Sequence, residues 1–536
     1  MTQDPASTPP TVPTPGDTTG ATAGPTAGPT AGSAPGPAAG STTASAAGDT
    51  TPAQLEQALA AAASAAPAFG TAEPAVRAGW IRAVADALDA AAGELVPIAM
   101  RESSLPEARL TGEVARSTGQ LRMFADALEE GSLLEVIIDT KDPQAKPVPR
   151  PDLRRVLVPL GPVLVFAASN FPFAFSVCGG DTASALAAGC PVIVKAHPGH
   201  PELSARTAAV MIDALKKAGA PDGAFGLIAG FDVGVTALKD PRITAAGFTG
   251  SVPAGRALHE IAVTRPEPIP FYGELGSLNP VFVTQAAIDA RGKDIAAGYV
   301  GSFTLGVGQF CTKPGLLFLP TGHGLQDQLV EAVGGVAQAP MLNDRIKDGF
   351  TSGLDRLEKV DGLRVWSTAG SATEGTPAAT LLQTTVPELL ARRGEILEEC
   401  FGPVSIVVEY DGTEELTQGL EAFDGNLTAT LHAEDSDADL ARELLPKLTA
   451  RAGRVLWNGW PTGVAVSWAQ HHGGPFPATV GSIHTSVGVT AARRFQRPVA
   501  YQDAPDAVLP DVLKDSNPAG ITRRVNGTVT TDEVTR

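Results

Sequence analysis

VLVFAASNFPFAFS, residues 163–176, is the stretch on which the fold turns. Val163 to Ala168 is a short, unbroken apolar run, the pattern of a strand buried on both faces. Asn170 and Pro172 break it, and a helix of small residues follows to about Ala188. Moving outward, PVIVKA (191–196) reads as a second strand and ELSARTAAVMIDALKKAG (202–219) as an amphipathic helix. FGLIAG (225–230) and ITAAGFT (243–249) are further strands, with ALHEIAV (257–263) in a helix after the last. Strand and helix alternating over short links predict the α/β class, with a doubly wound, mostly parallel sheet.

The flanks extend this pattern. Helical periodicity fills PAQLEQALAAAASAA (52–66), AVRAGWIRAVADALDAAAGEL (75–95) and most of 106–131. A second alternating region runs from about 290 to 470, with strands at GLLFLP, VSIVVEY and RVLWNG, and predicts a second α/β domain. Residues 1–50 are mostly Ala, Gly, Pro, Thr and Ser, with the local repeat AGPTAGPTAG. Such a segment buries too little apolar surface to offset its ordering entropy, so it reads as a disordered leader. Residues 506–536 read as a polar surface tail.

Composition excludes several functions. The formal net charge of −18 over 536 residues disfavours nucleic acid and anionic membranes, whose phosphates need clustered Lys and Arg. No apolar run is long enough to span a bilayer, and Met1 to Val12 lacks the basic-then-apolar pattern of a secretory signal. Four scattered cysteines make no disulfide framework, and no zinc-ligand spacing occurs, so no metal is expected. A reducing cytoplasm is the expected compartment.

Four local strings carry polar chemistry: VFAASNFPFAFS (165–176), GFTGS (247–251), YGELGSLNP (272–280) and GQFCTKPG (308–315). A fifth, EECFGPV (398–404), lies farther on. In this order and spacing they resemble the aldehyde dehydrogenase superfamily over residues 51–505. VKAHPGHP, NGWPTGVAVSW, HHGGPFPAT and TSVGVTAARRFQRPVAYQ further resemble its NADP-type branch, which contains 2,5-dioxopentanoate (α-ketoglutaric semialdehyde) and fatty-aldehyde dehydrogenases. The resemblance implies a dinucleotide-binding domain from 51–133 and 161–285 and a catalytic domain from 286–490. It also implies a small bridging sheet from 134–160 and 491–505. That arm implies a homodimer or homotetramer, its strands covering edges of a neighbouring subunit.

Hydride leaves an aldehyde carbon readily only from a tetrahedral adduct, so the oxidation needs a nucleophile. Cys311 suits it, since a thiolate is nucleophilic and thioesters hydrolyse well. Cys178, Cys190 and Cys400 read as buried packing. The resemblance implies that Asn170 and the Cys311 backbone N–H hold the oxyanion. It implies Glu274 as the base that activates water, and the small and apolar residues around Glu274 suggest partial burial with a raised pKa.

No Gly-x-Gly-x-x-Gly follows the first strand. Ser251 begins a helix whose N-terminal N–H groups suit a pyrophosphate, and it also reads as an ordinary N-cap. The resemblance assigns Lys195 to the adenosine ribose, Glu399 to the nicotinamide ribose, and Phe401 to the side of the nicotinamide. Pro198 stands where NAD-preferring members often carry a Glu. With His197 and Lys195 nearby, NADP is therefore expected over NAD.

Phe171, Phe175, Phe310 and Phe476 are candidates to line an aldehyde pocket. His471 and His472 read as structural or substrate-loop residues. The substrate is a small aldehyde, with 2,5-dioxopentanoate expected and a long-chain alkanal the alternative. Three rivals remain. A CoA-acylating enzyme would not need Glu274, and a non-catalytic scaffold would not keep these residues. A cofactor-independent cysteine esterase or thioesterase needs a His base beside Cys311, and no motif supplies one.

Overall fold

The computed structural model describes residues 48–370 and 376–535. The expected leader falls almost wholly outside the described residues. Its last residues are already tied to the fold, since Thr50 exchanges two hydrogen bonds with Ala229. The first helix, Pro52–Gly70, is opened by a capping box between Thr51 and Gln54.

Five parallel strands form the first sheet, in the order Phe225–Ile228, Val192–Lys195, Val163–Phe166, Ala245–Thr249, Phe271–Glu274. The chain winds outward one way from the central strand Val163–Phe166, then restarts on its other side. The topological switch, where open α/β sheets bind ligands, therefore lies between Val163–Phe166 and Ala245–Thr249. Register sets which residues emerge together: Phe166 pairs Lys195 and Phe248, and Thr249 pairs Glu274. Asn170, Lys195, Ser251 and Glu274 thus leave one edge of one sheet.

The second sheet has seven strands, ordered Arg364–Thr368, Thr380–Thr385, Val404–Tyr410, Leu316–Pro320, Val281–Val283, Asn426–His432, Ala452–Trp457. Only the first pair is antiparallel. The strand Val281–Val283 corrects the expected boundary at 285, because it already belongs to this sheet. Leu316 pairs Ile406, so the segments before these two strands, carrying Cys311 and Glu399, lie side by side. The site therefore sits where the C-terminal edge of the first sheet meets the N-terminal edge of the second.

The third sheet runs Gln496–Gln502, Leu153–Pro159, Ile137–Asp139, Arg523–Val525, Thr528–Thr530. Its last two strands correct the expected surface tail. Leu509, Leu513, Ile521 and Val534 are buried in the core around the first sheet. Arg154, 1% exposed, donates to Leu513 O at 2.5 Å and pairs with Asp515 at 2.6 Å. A buried guanidinium stripped of partners is costly, so the terminal segment is a required part of the sheet. The polar composition that suggested a tail is the composition of a short edge hairpin.

No helix among the described residues is long and apolar enough to cross a membrane.

Candidate active site

Backbone geometry places Cys311. Gly306, Val307 and Gly308 all have positive φ (56°, 59° and 66°), which turns the chain sharply before the cysteine. A Cβ on Gly308 would lie 2.2 Å from the Gly402 carbonyl oxygen, so only glycine fits against the Glu399–Phe401 segment. Val307 is β-branched in the left-handed region, a strain the surrounding loop must hold. Behind the cysteine, the buried Asn279 amide donates to Cys311 O at 2.8 Å and to Lys313 O at 3.0 Å. The buried Lys313 ammonium donates to Cys400 O and Val404 O at 2.8 and 2.9 Å. Neither anchor was given a role in the sequence, because each acts through backbone carbonyls distant along the chain.

Three functional groups converge. Cys311 Sγ lies 3.6 Å from His472 Nε2, and His472 Nε2 lies 2.9 Å from Glu274 Oε1. The latter is ion-pair distance, although the ring N–H is off the line of an aligned hydrogen bond. Ser486 Oγ donates to Glu274 Oε2 at 2.6 Å. His472 is therefore not merely a structural or substrate-loop residue. It is the histidine beside Cys311 that no motif supplied. His471 stays apart from the sulfur, near Gly473.

The charges are coupled. Burial raises the Glu274 carboxyl, but the neighbouring His472 ring and hydrogen bonds from Ser486 and Cys311 outweigh it and hold the group below its ordinary value. This reverses the expected raised pKa: the expectation counted desolvation and lacked the hydrogen-bond donors around the carboxylate. Burial first, then the Glu274 and Glu399 carboxylates, push the Cys311 thiol well above its ordinary range. The resting cysteine is thus a thiol. Both Glu274 and His472 are in position to take its proton.

The Asn170 side chain faces this loop, its Nδ2 donating to Gln309 O at 3.2 Å. An amide has two N–H bonds, so one remains for an oxyanion. Arg109, from helix Glu107–Glu130, fixes the Asn170 backbone through Nη2 to Asn170 O at 2.6 Å. Phe171 packs edge-on to Phe175 and Phe310, and Phe175 approaches the His472 ring. Phe476 does not join them. It is 56% exposed, on the Pro475–Ala478 turn, and makes no ring contact among the described residues.

The dinucleotide residues flank the same edge. Ser251 is the N-cap of Val252–Thr264 but makes no side-chain cap bond, which corrects the ordinary-cap reading and leaves its hydroxyl for a ligand. Lys195 and His197 lie close enough to Arg345 for its charge to lower both, after burial as the main cause. His197 is therefore neutral, its Nδ1 accepting from Gly199 N at 3.0 Å. Beside them stands the cation Arg345, on helix Asp344–Leu357, which no local motif marked. Glu399 is half-buried and pushed up to about 7 by desolvation, against the opposing charge of Lys313. Its carboxylate approaches Gly276 so closely that a Cβ there would meet Oε2 at 2.4 Å. Phe401 is half-buried two residues on. An uncapped helix end, a lysine and arginine pair, and a carboxylate with little water fit a nicotinamide dinucleotide.

A family model described as the aldehyde dehydrogenase family matches residues 33–484, and the chain belongs to that family. It is 46% identical, over 85% of its length and 87% of the relative's, to an alpha-ketoglutaric semialdehyde dehydrogenase of Acinetobacter baylyi. It is 45% identical to alpha-ketoglutaric semialdehyde dehydrogenase 2 of Azospirillum brasilense, covering 89% of this chain and 91% of the relative. The fold matches a Thermus 1-pyrroline-5-carboxylate dehydrogenase with bound NAD (TM-score 0.69, 22% identity, 85% of this chain and 86% of that one). It also matches a Bacillus cereus aldehyde dehydrogenase (TM-score 0.71, 20% identity, 85% and 89%). The α/β architecture expected from the sequence is that of these structures.

Proposed function

We propose that the protein oxidises 2,5-dioxopentanoate to 2-oxoglutarate with NADP. The observation that carries the chemistry is the convergence of Cys311, His472 and Glu274 within 4.8 Å. Cys311 gives its proton to the His472–Glu274 pair and attacks the aldehyde carbon. The resulting oxyanion takes hydrogen bonds from Asn170 Nδ2 and the Cys311 backbone N–H. When bound, the nicotinamide accepts the hydride that this adduct releases. A thioester on Cys311 remains, and water deprotonated by Glu274 hydrolyses it, freeing the acid and the thiol.

Ser251 meets the pyrophosphate at its helix end, Lys195 the adenosine ribose, and Glu399 the nicotinamide ribose, with Phe401 beside the ring. Lys195 and Arg345 favour a 2′-phosphate, His197 adds a neutral N–H, and Pro198 presents no carboxylate to repel it. The names of the two relatives support the substrate. A homodimer or homotetramer, joined through the arm sheet in a reducing cytoplasm, completes the reading.

Two variants test the cycle. Cys311→Ala should abolish turnover, whereas Glu274→Gln should release a single burst of NADPH and then stall. Wild-type steady turnover in either overturns the assignment. The substrate is tested with an aldehyde panel: a long-chain alkanal outperforming 2,5-dioxopentanoate would make this a fatty-aldehyde enzyme. His472 also favours a second reading, ester hydrolysis without cofactor. Its sign would be p-nitrophenyl acetate cleavage that outpaces every aldehyde.

A further inference from the structure

Two arginines near Cys311 have no carboxylate partner within ion-pair distance among the described residues. Arg116 projects from helix Glu107–Glu130 and Arg454 from strand Ala452–Trp457, on different layers of the fold. Both grip one short segment. Arg116 Nη1 donates to Val464 O at 2.7 Å, and Arg454 Nη1 and Nη2 donate to Gly463 O and Pro461 O at 3.2 and 2.6 Å. Both arginines therefore hold residues 461–464. Each keeps a buried Nε with no partner. Each also lies near enough to the Cys311 sulfur for its charge to be felt, while burial lowers both from their ordinary value. The Phe175 ring lies 5.8 Å beneath the Arg116 guanidinium.

A partly buried guanidinium without a carboxylate partner is unfavourable unless an anion joins it. Their present hydrogen-bond acceptors are neutral carbonyls. A third cation, Arg109, is already committed: Nε to Glu113 at 3.2 Å, Nη2 to Asn170 O, and its face to Phe171 and Phe310. We propose that Arg116 and Arg454 form a carboxylate-binding subsite that holds the far end of an aldehyde acid while its aldehyde meets Cys311. This rests on the semialdehyde reading above and supplies the cation which that reading needs. Arginine forks match carboxylate oxygens, and burial strengthens the contact.

The test compares kcat/KM for 5-oxopentanoate and 2,5-dioxopentanoate with that for pentanal, all with NADP. The wild type should prefer the acids by at least a hundredfold. Arg116→Met or Arg454→Met should lower that preference at least tenfold, through KM, and the double variant should remove most of it. Arg→Lys at each position should restore part of the preference, because the charge returns without the fork. Dinucleotide binding followed by tryptophan fluorescence separates folded from misfolded variants. A wild type that prefers pentanal defeats the semialdehyde reading itself. A wild type that prefers the acids, with folded Met variants keeping that preference or losing acids and pentanal equally, defeats the subsite alone.

Discussion

Removing the imidazole in His472→Ala is the sharpest test of the site. The magnitude has a floor and a ceiling. The Cys311 thiol is pushed above its ordinary range, so attack needs a proton acceptor. With His472 gone, Glu274 remains as an acceptor, and the least loss is that of one well-placed base, about 10²-fold. The ceiling comes from the imidazolium that forms as the proton moves. It would sit 2.9 Å from the Glu274 carboxylate. At an effective dielectric near 20 the attraction is about 5.7 kcal/mol, which converts to roughly 10⁴-fold in rate. The assay is rapid mixing of enzyme and NADP with aldehyde, reading the NADPH burst. The burst rate should fall between about 10²- and 10⁴-fold, and iodoacetamide should alkylate Cys311 correspondingly more slowly at neutral pH. A folded His472→Ala enzyme with a burst within threefold of wild type refutes the proton path.

Three further outcomes follow from the same geometry. Asn170→Ala should lower kcat by about 10²- to 10³-fold with KM little changed, measured in steady state with 2,5-dioxopentanoate. Gly308→Ala should cost about 1–3 kcal/mol of stability through its positive φ, and more activity than that, because the displaced loop carries Cys311; thermal melts and turnover on one preparation check both. Glu399 accepts two ribose hydroxyls most strongly as a carboxylate, and its raised value means that form is lost as pH falls through about 7. NADP affinity measured from pH 8.5 to 5.5 should therefore weaken toward acid, and Glu399→Gln should flatten the profile at its weak end.

The first sheet was readable because parallel buried strands are short apolar runs set between helices. Val163–Phe166, Val192–Lys195, Phe225–Ile228 and Ala245–Thr249 all lie inside the runs that named them. Cys311, Asn170 and Glu274 were legible because each sits in a string whose neighbours are fixed by backbone demands. His472 was quoted in HHGGPFPAT and still misjudged: its partners are 161 residues away at Cys311 and farther at Glu274, and no local pattern encodes that approach. The same blindness covered Arg345, exposed beside Lys195 and His197, and Arg116 and Arg454, ordinary-looking arginines that tertiary packing turns inward. Phe476 erred in the other direction, an aromatic beside a glycine-rich string that the turn at 475–478 points outward. The hairpin at 523–530 went unseen because a polar strand at a sheet edge has the composition of a tail.

That hairpin also orders events in time. Arg154 is laid down early with Asp152 as its local partner, yet its second close carboxylate, Asp515, is 361 residues downstream. During synthesis the nascent arm keeps a bare strand edge, and Arg154 has Asp152 as its only close carboxylate, until residues 513–530 emerge. The arm sheet therefore closes after both α/β domains have been made. A ribosome stalled anywhere before that point presents a chain whose third sheet lacks its last two strands.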